Sequence, residues 1–237
     1  MVVMQRINTT HQGVPLTIEF DKNVYQPGPL TSTLCDIMKV ASGDRVIDVG
    51  CGTGYIGIVA SLLGAGEVIC IDPIIEAINW TKHNARINGV NNITTLQGSS
   101  LDPVEHEQAN VIISLPPQMP YLINFNPWRY GGPDGTDVIL KIIRQASFIL
   151  KGKGSRLYFV HSGLAYPARI RCALTELGFK WNIVKTVERE LEPAHMDELT
   201  IGLMDYLLNL MHRGISEIVE REGCYYYPIW FYCATLK

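Results

Sequence analysis

Twelve residues constrain this chain more than any others: Val46-Ile-Asp-Val-Gly-Cys-Gly-Thr-Gly-Tyr-Ile-Gly57. Arg45 to Val49 is short, β-branched and apolar apart from Asp48, as expected of a strand buried on both faces of a parallel sheet. Gly50, Gly52 and Gly54 follow at alternate positions, where missing side chains let the backbone turn tightly and let a ligand approach main-chain N–H groups. Helical spacing resumes at Tyr55, Ile56, Val59 and Leu62. The stretch therefore predicts strand, glycine turn and helix, the opening of an α/β unit.

The ligand follows from what the turn lacks. It has neither the Gly-x-Gly-x-x-Gly spacing of pyrophosphate binders nor the Gly-Lys-Ser/Thr of a P-loop. Asp48, just before the glycines, would repel a phosphate and suits a ligand with an ammonium group and hydroxyls. A second acid, Asp72, ends the next apolar run, Glu67-Val-Ile-Cys-Ile-Asp72, 24 residues beyond Asp48. A carboxylate at that place is suited to hold a pair of ribose hydroxyls, with Pro73 and Ile74 as an apolar wall beside an adenine. The alternative for Asp72 is a surface-loop aspartate.

Together these residues resemble motif I and the ribose acid of the class I S-adenosylmethionine-dependent methyltransferases. The resemblance covers Tyr25 to about Gly178. It implies S-adenosylmethionine as cofactor, held by Asp48, Gly50, Cys51, Gly52, Gly54, Asp72 and Pro73. In the family an acid after the third strand accepts from the adenine amine; here Gly98-Ser99-Ser100 stands there, so Ser99 and Ser100 take that place with a weaker acceptor. The resemblance also implies that a Tyr/Phe-x-Pro loop followed by Thr covers the methionine end, which points to Tyr25 and Thr31. Tyr25 reads equally well as a packing residue.

The fourth strand, Ala109 to Ser114, delivers Leu115-Pro116-Pro117-Gln118. Methyltransferases of planar amines and amides, including release-factor glutamine and nucleobase enzymes, carry Asn/Asp/Ser-Pro-Pro-aromatic here. This chain keeps both prolines but has Leu115 at the acceptor position and Gln118 at the aromatic one. The resemblance thus assigns the catalytic place to Ser114, Leu115, Pro116 and Pro117, with Tyr25; an oxygen of Ser114, also counted toward the cofactor, or of Tyr25 would orient an amine. Tyr130-Gly-Gly-Pro-Asp-Gly-Thr resembles the Gly-Gly-x-Asp-Gly turn of the same branch, and Asn124 to Tyr130 reads as a substrate wall or a surface loop. His161, at the carboxyl end of the fifth strand, reads as a hydrogen-bonded structural histidine, the alternative being a side chain that faces the site.

Composition limits the alternatives. With 237 residues, 47% hydrophobic and 18% charged, the chain suits one well-buried α/β domain. A net charge of -3 and no Lys/Arg run give no strong nucleic-acid signal. The six cysteines form no Cys-x-x-Cys pair and read as reduced thiols of a cytoplasmic protein. Scattered histidines suggest no metal, and no apolar run suggests a membrane span or leader.

The expected fold is α/β: a doubly wound, seven-stranded, mostly parallel sheet of the Rossmann-like class I methyltransferase type. The resemblance implies strand order 3-2-1-4-5-7-6 with the last strand antiparallel. Residues 1–40 form an N-terminal arm and cofactor-covering helix, the latter over Pro29 to Val40; in the arm Val14, Leu16, Ile18 and Phe20 alternate with Pro15, Thr17 and Glu19, as in an edge strand or arm with one buried face. Residues 41–237 form the cofactor-binding domain, with an inserted helix within 192–221 before the last strand. Met196, Leu199, Leu203, Tyr206, Leu207 and Leu210 give that insertion an apolar face. Packing within the chain is its default; a substrate lid or a homodimer through this helix are the alternatives. The expected activity is methyl transfer to a small-molecule or protein amine or amide. Other chemistry of the same cofactor, releasing methylthioadenosine, and a cofactor-binding scaffold are the competing readings.

Overall fold

The computed structural model describes residues 4–236; residues 1–3 of the expected arm, and residue 237, lie outside the described residues. Contacts divide the chain into two compact units, 1–115 with 145–159 and 235–237, and 116–144 with 160–234.

The first unit opens on a hairpin, β1 (Gln5–His11) and β2 (Val14–Phe20), paired antiparallel from Gln5↔Phe20 to His11↔Val14. Its two-residue turn, Gln12-Gly13, has φ of 47° and 88°, the left-handed pair that matches the twist of the flanking strands. The alternation read from the sequence sets the buried face: Leu16, Ile18 and Phe20 are buried. The expected arm is thus half of a hairpin. Helix α1 (Pro29–Ile37) follows and ends three residues earlier than expected, where Met38 turns extended.

Four strands, β3 (Arg45–Val49), β4 (Glu67–Asp72), β5 (Ile93–Gln97) and β6 (Val111–Ser114), alternate with α2 (Tyr55–Leu62) and α3 (Ile75–Ile87). With β7 (Arg156–Ser162) they pair in parallel in the order β5-β4-β3-β6-β7. Val46, Ile47, Val68, Cys70, Ile71, Ile112 and Ile113 are all buried, which is why these strands read as continuous apolar runs. Helix α2 can approach the sheet closely because Gly57 has no side chain; a Cβ there would strike Cys70 Sγ.

Two asparagines dock the hairpin. Asn84 of α3 and Asn88, which caps the end of that helix, lie one turn apart and face alternate residues of β2. Glu19 N donates to Asn84 Oδ1 at 2.9 Å, and Asn84 Nδ2 donates back to Glu19 O at 2.9 Å. Asn88 repeats this with Thr17, at 2.9 and 2.6 Å. The two amides satisfy the edge of β2 as a neighbouring strand would.

The sheet continues through β7, which belongs in part to each unit. In the second unit come α4 (Asp137–Ile149), begun in that unit, α5 (Pro167–Glu176), β8 (Phe179–Leu191), α6 (Pro193–Leu199), α7 (Leu203–His212), β9 (Val219–Arg221) and β10 (Cys224–Leu236). The order past β7 is β10 then β8, with β9 antiparallel to β10, so the seven principal strands follow the expected order. The insertion is two helices, not one. Gly202, at φ 78°, takes the left-handed conformation between them and caps α7. The apolar face packs within the chain: Met196, Leu203, Met204 and Leu207 form one cluster with Leu164, Leu191 and Ile218.

Candidate functional site

The glycine turn is held to the sheet by its own amides. Gly50 N and Cys51 N both donate to Ile71 O, at 2.8 and 3.0 Å, which closes the turn over the end of β4. Gly50, Gly52 and Gly54 have φ of 77°, 56° and 80°, so each position favours glycine. A Cβ on Gly50 or Gly52 would meet nothing within 4 Å, so this face of the turn is open. A Cβ on Gly54 would press within 2.9 Å of Thr81, whose Oγ1 donates to Gly52 O at 3.2 Å.

Both expected acids lie at this turn. Asp48 is fully buried; Oδ2 accepts the Gly57 amide at 2.9 Å, while Oδ1 has no partner among the described residues. Burial pushes its carboxyl up to about 7, against the Gly57 hydrogen bond and with help from the Asp72 charge. A buried carboxylate oxygen without a donor is an unmet polar group, one that a hydrogen-bond donor or a cation would satisfy. Asp72 is 7% exposed. Its Oδ2 accepts from Gly52 N and its Oδ1 from Ile74 N, both at 2.9 Å, so the carboxylate plane is fixed and each oxygen keeps a lone pair free for a hydroxyl. Burial raises its pKa and the two amide hydrogen bonds oppose that. Pro73 is exposed and Ile74 half-buried beside it, an apolar surface where the adenine wall was expected. Ser99 is exposed; Ser100 is buried in a left-handed turn at φ 54°.

On the acceptor side, the register pairs Ser114 with Val49, so β6 ends beside the strand that carries the turn. Ser114 is buried and its Oγ donates to Val49 O at 2.9 Å. Its proton is engaged inside the sheet. Leu115 is half-buried, and Tyr25 is exposed in the loop before α1. Thr31 accepts the Gly28 amide at 3.5 Å as part of the start of that helix.

In the second unit Gln118, at the aromatic position of the family pattern, turns into the framework. Its Oε1 accepts from Ser162 N at 2.5 Å, and its Nε2 donates to Val160 O at 3.2 Å and Pro116 O at 3.4 Å. The glycine-rich turn packs against it: a Cβ on Gly131 would lie 2.5 Å from Gln118 Cα, and one on Gly135 2.5 Å from Gln118 O. Asp134 accepts from Thr136 N and Oγ1 and pairs with Arg169. Burial would raise its pKa, but those hydrogen bonds outweigh it and hold the carboxyl below the usual range. His161 is buried and stacks on Trp230 with centroids 6.0 Å apart. Burial, then the Arg171 charge, pushes its pKa down to about 3, so the ring is neutral. Neither ring nitrogen has a hydrogen-bond partner among the described residues, so His161 is a buried, stacked ring and not the hydrogen-bonded structural histidine expected. No group of three His, Cys, Asp or Glu among the described residues could hold a metal ion.

Three supports of the turn had no sequence signal. Asn84 Nδ2 also donates to Thr53 O at 2.9 Å, tying the hairpin to the turn. Thr81 braces Gly52 and Cys51. His11 joins Asp36 of α1, at 2.7 Å, to the hydroxyl of Tyr55, at 2.6 Å, the first residue of α2. None lies at a family-motif position, and all depend on distant segments meeting.

Residues 20–181 match the family described as methyltransferase small domain. The ribosomal protein L11 methyltransferase of Acetivibrio thermocellus is 38% identical over 105 residues, 39% of this chain and 33% of that protein. A protein of Methanocaldococcus jannaschii, provisionally named protein N5-glutamine methyltransferase, is 26% identical over 71% of this chain and 87% of its own length. The chain spans 33% and 42% of the length of the L11 methyltransferases of A. thermocellus and Bacillus pumilus. Among solved structures, a T. thermophilus 16S rRNA N2 methyltransferase in complex with AdoMet and guanosine shares the fold, with TM-score 0.63 and 14% identity over 99% of this chain and 51% of that one. The turn with its two acids, the strand order and a family match spanning both make one case: the chain belongs to the methyltransferase small domain family, enzymes that take their methyl group from S-adenosylmethionine.

Proposed function

We propose that this protein transfers a methyl group from S-adenosylmethionine to an amine or amide nitrogen of a protein or small-molecule acceptor. The observation that carries the reading is the buried Asp48, whose Oδ1 lacks a donor one strand away from an Asp72 already fixed by two amides. When bound, the cofactor supplies a methyl on a positively charged sulfonium, which makes the transfer intrinsically favourable. The residues of this chain then have to hold, orient and keep out water. Asp48 would take the ammonium, Asp72 the two ribose hydroxyls, the open face of Gly50 and Gly52 the closely approaching chain, and Pro73 and Ile74 the adenine. Leu115, Pro116 and Pro117 would form the wall along which the nitrogen lines up behind the methyl. No covalent residue is required, and water takes the proton of an amine.

The name of the M. jannaschii relative, protein N5-glutamine methyltransferase, favours a polypeptide nitrogen. An RNA acceptor is the second reading, supported by the name of the T. thermophilus neighbour. Chemistry that releases methylthioadenosine is a third, supported by the Ser114 proton and the Gln118 amide both being engaged by backbone. The buried, unpaired thiols of Cys35, Cys51 and Cys70 fit a reducing compartment such as the cytoplasm. No helix among the described residues is long and apolar enough to cross a membrane.

Product analysis tests the reading. The protein is incubated with S-adenosylmethionine alone and with protein, amine or RNA acceptors. S-adenosylhomocysteine formed only with an amine- or amide-bearing acceptor supports it. Methylthioadenosine without acceptor, or S-adenosylhomocysteine with RNA alone, replaces it by one of the other readings.

A further inference from the structure

The loop that follows the Pro-Pro segment does not bury its aliphatic side chains. Leu122 and Ile123 are 67% and 64% exposed, and Ile201, between α6 and α7, is 90% exposed. These residues belong to one rim of the second unit. Tyr121 Oη donates to Ile201 O at 2.7 Å, and the Tyr121 ring meets Phe125 and Tyr206 edge-on at 5.8 and 5.4 Å. Tyr206 Oη in turn donates to Pro133 O at 2.8 Å. The insertion is thus bonded to the loop, and three aliphatic side chains stand outward from a framework whose own aromatics are engaged. Large aliphatic groups left in water on such a framework mark a contact surface.

The charge around the rim restricts the partner. The insertion itself, from Glu192 to Arg213, has four acidic residues and one arginine. Glu198 and Asp205 are exposed three residues before and four residues after Ile201. A phosphodiester chain would be repelled here, whereas Lys or Arg side chains flanking an apolar residue would be attracted. The rim is also continuous along the chain with the Pro-Pro segment, since Leu122 stands four residues past Gln118.

We propose that Leu122, Ile123 and Ile201, set on the acidic insertion, dock the acceptor as a polypeptide segment presenting aliphatic side chains flanked by Lys or Arg. This rests on the reading that the acceptor is a protein nitrogen and names how that protein is recognised. Aliphatic contacts fix the register of the segment, and the acidic surround attracts it and discriminates against nucleic acid.

Fluorescence anisotropy with the full chain tests it, using a labelled peptide of mixed Leu and Lys and an oligouridine of equal length. The wild type is expected to bind the peptide saturably and the oligouridine weakly. The combined Leu122→Ser, Ile123→Ser and Ile201→Ser variant should weaken peptide binding about tenfold or more. Glu198→Lys with Asp205→Lys should also weaken it and flatten its salt dependence. No peptide binding by the wild type, unchanged binding by both variants, or tighter binding of oligouridine overturns the proposal. S-adenosylmethionine titration of each protein separates the causes: retained affinity in the variants shows that they are folded. A wild type without that affinity refutes the functional reading, whatever the peptide does.

Discussion

Asp72 Oδ2 accepts the amide of Gly52 at 2.9 Å, so the carboxylate that would hold the ribose is oriented by the glycine turn itself. Ile74 N holds the other oxygen at 2.9 Å, and the carboxylate cannot swing out of plane without losing both bonds. The second acid and the turn, separated by a helix in the sequence, are joined into one structural element.

Replacing Asp72 by Ala removes two charged acceptors for the ribose and frees the Gly52 and Ile74 amides. Binding of S-adenosylmethionine should weaken by about 1.5–3 kcal/mol in calorimetry. Asp72→Asn, which keeps an acceptor without the charge, should fall between. Unchanged affinity in both variants would remove the ribose assignment.

Asp48 gives the site a pH dependence. With burial holding its pKa at about 7, the carboxyl of the ligand-free protein is largely protonated at pH 6 and ionised at pH 8. An ammonium favours the ionised form, so affinity for S-adenosylmethionine should rise with pH across this range, and Asp48→Asn should abolish the rise. The ligand-free fold responds with the opposite sign. Its folded pKa lies above the unfolded value of 3.8, so the folded state retains a proton that the unfolded chain releases. This contribution to stability is complete below about pH 4 and lost as the pH climbs through 7. Thermal melts of wild type and Asp48→Asn over that window should differ in slope accordingly.

The turn and the two strand-end acids were legible because each depends on local pattern: an apolar run, glycines at alternate positions, an acid at a strand end; the strand order came only through the family resemblance. The hairpin was half legible. The alternation of Leu16, Ile18 and Phe20 disclosed β2, but Gln5–His11 is mostly polar and exposed, and without a buried face it carries no period. The expected single inserted helix overlooked Gly202, whose left-handed φ starts a new helix. Gln118 illustrates what sequence alone withholds. A family pattern locates an aromatic there, but only the fold brings Ser162 and Val160 close enough to turn a glutamine inward.

Gly135 tests the link between the two motif fragments. At φ 77°, with Gln118 O 2.5 Å from where a Cβ would sit, Gly135→Ala combines backbone strain with overpacking. It should lower stability by about 3 kcal/mol in denaturant titration. Gly152, also at positive φ but with nothing within 4 Å of a Cβ, serves as the control; Gly152→Ala there should cost only about 1 kcal/mol.

Asn84 offers the sharpest separation of folding from binding, because one amide satisfies three backbone groups. Its side chain accepts from Glu19 N and donates to Glu19 O and Thr53 O, each at 2.9 Å, and it is fully buried. Asn84→Ala leaves all three without partners and should destabilise the protein by about 2–4 kcal/mol. Asn88→Ala breaks the bonds to Thr17 and Asn84 O but none to the glycine turn. The two variants should therefore both loosen the hairpin in hydrogen exchange, with protection lost along β2. Only Asn84→Ala should also weaken S-adenosylmethionine binding, since Thr53 lies between Gly52 and Gly54 and its carbonyl loses its anchor. Equal affinity in the two variants would mean that the hairpin supports the fold without holding the turn.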